Sequence, residues 1–250
     1  MGHGSRNEVG TAEFLALASQ LPLFWPDTPI EACFLELQQP DIGTGIRNLL
    51  AKGVTSVVVA PLLLFAAGHA REDIPAAVAV ALADFPAIRA VQAEPLDCHP
   101  EVLSLADLRL RESVDLQPTD RVIIVARGTS DPTGLAAVER FVAARQKQLP
   151  QNLVEVAYMA AAEPRLAGRL AQLADEPQTR VILQPHLLFE GEVVSSVRAL
   201  AAEFAPRFAD ASIPVADHLG AGILTSTRET ERLVLAYAAR ISMSLVEVRG

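Results

Sequence analysis

Three side chains near the start of the chain have the types and places for divalent-metal chemistry: His3, Glu36 and His69. His3 lies in Gly2-His3-Gly4-Ser5-Arg6, a small-residue turn that opens the amphipathic run Asn7–Leu21. Glu36 sits at the close of the apolar run Ile30–Leu37. His69 follows Gly68 on the loop Phe65–Pro75, behind the apolar run Ser56–Leu64. Neutral imidazole binds first-row dications well, and a carboxylate can add a third ligand or accept protons. Two histidines and one glutamate leave coordination positions open, which suits a metal that is handed on rather than kept. A single histidine at a helix start is more often a cap or a surface residue. What groups these three is a shared position on the strand-to-helix rim: His3 at the first turn into a helix, Glu36 and His69 at and beyond the C-terminal ends of expected strands.

The elements that must hold them alternate. β-Branched apolar runs predict strands over Ile30–Leu37, Ser56–Leu64, Arg89–Ala93, Arg121–Ala126, Leu153–Tyr158, Arg180–Leu187 and Ile213–Asp217. Between them, Ala/Leu-rich amphipathic runs predict helices over Asn7–Leu21, Ile42–Lys52, Pro75–Asp84, Glu101–Leu110, Pro132–Gln148, Pro164–Ala174, Val193–Phe204 and Ser226–Ile241. Such alternation means βαβ units and an α/β fold built on mostly parallel sheets, which bind ligands at the C-terminal rim of their strands.

The chain also repeats itself. A constant spacing of 124 residues relates Pro61-Leu-Leu-Leu-Phe65 to Pro185-His-Leu-Leu-Phe189, Phe34–Pro40 to Tyr158–Pro164, and Gly2–Arg6 to Ala126–Ser130. So long a period is a domain duplication, giving domains 1–116 and 117–250. The repeat pairs His3 with Arg127, Glu36 with Ala160 and, after a one-residue gap, His69 with Glu192. The second half keeps the scaffold without the metal-binding set, which places a single site in the first domain. The repeat also exposes a mismatch. Arg121–Ala126 precedes the second Gly turn, whereas the first begins at residue 2. This favours a native start upstream of residue 1; the alternative is that Ser244–Val248 fills the strand position.

With 250 residues, half of them hydrophobic and a net charge of −9, the chain can build a large core and has no basic face for nucleic acid. Its one tryptophan and few aromatics form no stacking ladder. The longest apolar run, Val57–Ala67, is interrupted by Pro61 and too short for a membrane helix. No signal peptide opens the sequence, and Cys33 and Cys98 form no CxxC pair; a cytoplasmic protein is expected. Neither GxxxxGK[ST] nor a strand-linked GxGxxG is present, against a nucleotide enzyme. A two-lobed periplasmic-type binding module fits the duplication but not the lack of a signal sequence. His99, His186 and His218 show no mutual ligand spacing, Asp73 reads as a loop cap, and Cys33 as a small apolar strand residue. Glu190 and Glu192 are secondary candidates for the cleft.

Gly-His-Gly-Ser-Arg at residues 2–6, Phe-Leu-Glu-x-x-x-Pro-x-Ile at 34–42 and Pro-Leu-Leu-Leu-Phe-Ala-Ala-Gly-His-Ala-Arg-Glu-Asp-Ile-Pro at 61–75 resemble the sirohydrochlorin chelatases, class II tetrapyrrole chelatases of the CbiX/SirB type. Val125–Pro132 and Gln184–Gly191 resemble the degenerate half of the long, two-domain members. The resemblance implies two similar chelatase-like α/β domains, each a mostly parallel sheet flanked by helices, with a cleft between them for the macrocycle. It implies His3 and His69 as metal ligands, with Glu36 assisting. It implies insertion of Co2+ (favoured) or Fe2+ into sirohydrochlorin, for cobalamin or siroheme, with the metal as substrate and no permanently bound cofactor. Arg6, Arg71 and Arg127, on the rim loops, are suited to binding the carboxylates of that polycarboxylate in bidentate fashion. A non-catalytic metal or tetrapyrrole carrier is the alternative function. No nucleic-acid or membrane partner is expected, and the protein is expected to be a monomer or homodimer.

Overall fold

Secondary structure follows the apolar spacing wherever the chain finds a partner for its backbone. The structure is a computed structural model. It describes every residue except 67–68, 177–179, 209, 226 and 250, and only the backbone of 69–70, 227–230 and 249. In chain order the elements are α1 (Glu8–Ala18), α2 (Ile42–Ala51), β1 (Ser56–Val59), α3 (Ile74–Ala81), β2 (Arg89–Gln92), α4 (Pro100–Ser113), β3 (Arg121–Ala126), α5 (Pro132–Gln148), β4 (Leu153–Tyr158), α6 (Leu166–Leu173), β5 (Val181–Pro185), α7 (Glu192–Phe204) and α8 (Thr227–Arg249).

The chain packs as two units, Met1–Asp97 with Gly222–Gly250, and Cys98–Ala221. In the second, β3 runs parallel between β4 and β5. Its residues Val122–Ala126 are all buried, as expected of a central strand covered on both faces. Each of its buried Val and Ile side chains contributes ~1.5–3 kcal/mol on leaving water. Leu183 of β5 bridges Val215 on the far side. The expected strand Ile213–Asp217 shrinks to that bridge, with Pro214 supplying a carbonyl to the Leu183 N–H but no donor of its own.

The first unit keeps the same order with less strand. β1 and β2 pair in parallel, Gly2 bridges Phe34, and the Met1 carbonyl accepts from the Leu62 N–H at 2.8 Å. The expected strand Ile30–Leu37 is not formed as one; only Phe34 bridges, to Gly2 and Asp41. A strand exists by pairing its backbone groups, and this segment pairs only around Phe34, where the Cys33 carbonyl accepts from the Gly2 N–H and the Leu35 N–H donates to the Gly2 carbonyl. The run Ser244–Val248 does not take a strand position: it is the last part of α8.

Packing and repeat divide the chain differently. The sequence boundary at 116/117 follows the repeat, but α4 packs in the second unit and α8 in the first. Arg145 of α5, wholly buried, reaches Asp107 of α4 at 3.2 Å, and Gln184 donates to the Ala106 carbonyl. α8 lies against β1 and β2; its Tyr237 hydroxyl donates to the Ala60 carbonyl and Arg240 to the Leu96 carbonyl at 3.1 Å. Among the described residues no helix is long and apolar enough to cross a membrane.

Candidate functional site

The His3 turn is built by hydrogen bonds that only this arrangement of small residues allows. The Leu35 and Glu36 N–H groups donate to the Gly2 and His3 carbonyls at 2.9 and 3.0 Å, continuing a parallel ladder past the bridge. Gly4 then turns with φ +100°, and a Cβ there would lie 1.8 Å from the Glu36 carbonyl oxygen. No residue but glycine permits so close a crossing. The Asn7 N–H donates to Ser5 Oγ, and Asn7 caps α1 by accepting from the Gly10 N–H, both at 3.0 Å.

This scaffold sets His3 beside Glu36. Nδ1 of the half-buried imidazole is 3.5 Å from Oε1 of the half-exposed carboxylate, at the outer edge of hydrogen bonding. Gln38, which the motifs did not single out, ties the two loops together by donating from Nε2 to the Ser5 carbonyl at 2.6 Å. Leu37 between them takes φ +62°, the left-handed region.

The other expected residues fall as follows. His69 begins a π-helical turn, His69–Asp73, that runs into α3; its side chain lies outside the described residues, and so does any convergence with His3. Arg6 and Arg71 are exposed, Arg71 on the same π turn, and Arg127 is exposed just after β3 in the second unit. Asp73 stands at the N-cap position of α3 but makes no side-chain capping bond, because the π turn carries helical backbone straight through it. Among the described residues no three His, Cys, Asp or Glu side chains cluster as a metal cage. His99 caps α4 through the Glu101 N–H, and His186 is a core residue stacked on Phe141 with ring centroids 3.7 Å apart. His218, also buried, lies 3.9 Å from Glu190, which pairs with Arg198 at 2.8 Å. Burial alone would raise the Glu190 carboxyl, but the hydrogen bonds from Arg198 and the Gly191 N–H, together with the nearby positive charge, outweigh it and hold the pKa below its ordinary value. Burial pushes the Cys33 thiol up, so it stays protonated as a small apolar side chain.

The second unit reproduces the turn without its chemistry. The Met159 and Ala160 N–H groups donate to the Ala126 and Arg127 carbonyls at 3.0 and 2.8 Å. Gly128 has φ +91°, and its Cβ would lie 1.8 Å from the Ala160 carbonyl oxygen. Arg127 stands where His3 does and Ala160 where Glu36 does. The signature of the CbiX family matches residues 1–113 and again 121–231.

The chain belongs to the CbiX family.

Over 226 residues this CbiX chain is 28% identical to the sirohydrochlorin cobaltochelatase of Priestia megaterium, covering 88% of this chain and 73% of that one. Over 234 residues it is 28% identical to the sirohydrochlorin ferrochelatase of Bacillus subtilis (strain 168), covering 92% and 90%. SirB from Bacillus subtilis, solved with Fe3+, has the same fold at TM-score 0.85 and 24% identity, over 96% of this chain and 92% of that one. The duplicated α/β fold expected from the repeat is thus the fold of a CbiX pair.

Proposed function

We propose that this chain is a sirohydrochlorin chelatase, inserting Co2+, with Fe2+ as the second candidate, at a site formed by His3, His69 and Glu36. The observation that carries the reading is the His3–Glu36 pair at 3.5 Å on the strand rim of the first CbiX repeat. A carboxylate beside one ring nitrogen is the relation that orients a metal-binding imidazole. Insertion exchanges pyrrole N–H protons for a dication. His3 and His69 hold the partly desolvated metal over the macrocycle, and Glu36, half in water, takes up and releases the protons. The exposed Arg6, Arg71 and Arg127 bind peripheral carboxylates, aided by N–H groups at the starts of α1 and α5. Free Cys33 is consistent with a reducing cytoplasm, and two repeats in one chain allow a monomer to act.

The test is insertion into sirohydrochlorin followed by absorbance, with Co2+ and Fe2+ in separate runs. His3→Ala and His69→Ala are expected to lose more than ~10²-fold in rate, and Glu36→Gln ~10–100-fold, with circular dichroism unchanged. Wild-type rates above the spontaneous background in His69→Ala would remove it from the site. Arg6→Ala, Arg71→Ala and Arg127→Ala are expected to raise KM with little change in kcat.

A further inference from the structure

His3 and Glu36 each begin a three-residue arm of the same backbone form. His3-Gly4-Ser5 has its left-handed residue at Gly4, φ +100°, and Glu36-Leu37-Gln38 has its own at Leu37, φ +62°. The arms are joined twice. At the base the Glu36 N–H donates to the His3 carbonyl at 3.0 Å. At the tip Gln38 Nε2 donates to the Ser5 carbonyl at 2.6 Å. The His3 and Glu36 side chains are 28% and 50% exposed, so packing alone leaves both room to move. Their separation of 3.5 Å depends on the arms that carry them.

The second unit shows which of these joints the fold needs. At the repeat spacing its arms are Arg127-Gly128-Thr129 and Ala160-Ala161-Ala162. Both left-handed residues recur, Gly128 at φ +91° and Ala161 at φ +57°. The base joint recurs, from the Ala160 N–H to the Arg127 carbonyl at 2.8 Å. So does the hydroxyl turn, in which Ser5 and Thr129 accept from the N–H two residues on, at 3.0 and 3.1 Å. The tip joint does not recur, because Ala162 has no amide to give. The turn therefore closes without it. The Gln38 amide stands only in the half that also has the imidazole and the carboxylate at this turn.

We propose that Gln38 is a positioning residue for metal insertion: its amide locks the Glu36 arm to the His3 arm, so that carboxylate and imidazole address one ion. The inference rests on the reading of His3 and Glu36 as members of the insertion site. With the base bond alone, each arm can hinge at its left-handed residue; the tip bond closes the two into a ring. A site that passes its metal on makes few bonds to the ion, so the protein must fix the geometry before the ion arrives. Supporting hydrogen bonds of this kind carry ~10–100-fold in metal affinity or activity. The amide adds no charge and spends its donor on Ser5, so its effect falls on the reacting geometry rather than on the hold on the macrocycle.

The experiment uses Gln38→Ala, which gives the first turn the residue that the second already folds with, and Gln38→Met, which keeps the side-chain length without a donor. Gln39→Met is the control, since its side-chain oxygen accepts from the Asp41 N–H at 3.2 Å within its own loop. Both Gln38 variants are expected to lose ~10–100-fold in kcat for Co2+ insertion, with KM for sirohydrochlorin within about twofold of wild type. Their Tm is expected to stay within ~4 °C of wild type, the scale of one hydrogen bond. Co2+ alone, followed by its visible absorption, is expected to bind ~10-fold more weakly to both. The Glu36 amide is expected to exchange at least ~10-fold faster, and its counterpart Ala160 at the wild-type rate. Gln39→Met is expected to match wild type throughout. Wild-type kcat in Gln38→Ala or in Gln38→Met would overturn the proposal, in the second case by showing that bulk rather than the hydrogen bond is needed; so would a loss confined to KM. Should the wild-type chain insert neither Co2+ nor Fe2+, the chelatase reading fails by itself. Gln38 is then judged by Co2+ affinity and Glu36 exchange: a change in both supports the positioning of a metal-binding pair, and no change in either one overturns it.

Discussion

Substituting Gly4 by alanine separates the holding of His3 from its chemistry, because the molecule carries a matched control. The new Cβ would stand 1.8 Å from the Glu36 carbonyl oxygen, so the crossing must open by about 1.2 Å to reach a tolerable 3.0 Å. An L-residue at positive φ costs ~1–2 kcal/mol, and the forced opening a further ~1–3 kcal/mol. Together these give roughly 2–5 kcal/mol, or a Tm lower by roughly 5–15 °C in a chain of this length. The opening falls on the loop that carries Glu36. A displacement of this size at a positioned catalytic group costs ~10²-fold in rate. Gly128→Ala meets the same clash, 1.8 Å from the Ala160 carbonyl oxygen, at a turn that has Arg127 and Ala160 in place of His3 and Glu36. Its Tm should fall as far, while kcat stays within about threefold of wild type and any effect through Arg127 appears in KM. Thermal unfolding and steady-state cobalt insertion on the two variants decide the matter. Equal losses of kcat in both, or full kcat in Gly4→Ala at a depressed Tm, would refute the placement of the chemistry at His3 and Glu36.

Other consequences follow from buried polar groups. The chain has two tyrosines, Tyr158 in the second unit and Tyr237 in the first, and burial raises both phenol pKa values above the ordinary value of about 10. Above that pH the unfolded state gives up protons that the folded state keeps, so stability is full below pH ~10 and falls as pH rises beyond it. Tyrosinate absorbance should therefore appear only in step with the loss of far-ultraviolet dichroism; ionisation near pH 10 with the fold intact would contradict this. Asp107→Ala removes the carboxylate facing the fully buried Arg145 and should cost ~3 kcal/mol, measured by urea unfolding, whereas Arg47→Ala, whose guanidinium bonds Thr44 on the surface, should change stability by less than ~0.5 kcal/mol.

Elements whose partners stand next to them in sequence were readable from the chain. α5 and β3 have the bounds that the apolar pattern predicts, and Asp131 caps α5 through the Thr133 N–H, a local signal. What an amphipathic stripe does not carry is the identity of the surface it will cover. Leu105 and Leu110 of α4, and Tyr237 and Ile241 of α8, announce burial without saying where, so the change of unit by both helices could not be read. Strand propensity has the same limit: Ile30–Leu37 is apolar enough to be expected as a strand, yet pairing is a property of two segments, and within it Phe34 alone forms a bridge.

At the candidate site, His3 and Glu36 stood out in the sequence because metal chemistry restricts residue types, whereas Gln38 did not, since an amide that ties two loops has no spacing rule. Gly4 had a weaker signal that the repeat could have strengthened. Its counterpart Gly128 is retained at a turn with neither His3 nor Glu36 equivalents, so the glycine answers to backbone crossing rather than to metal. The duplicated turn thus separates two demands usually confounded in one sequence. What both halves share is what the fold requires. What the first half has at this turn and the second replaces by Arg127 and Ala160, an imidazole 3.5 Å from a carboxylate, is what the fold does not require and the proposed chemistry would.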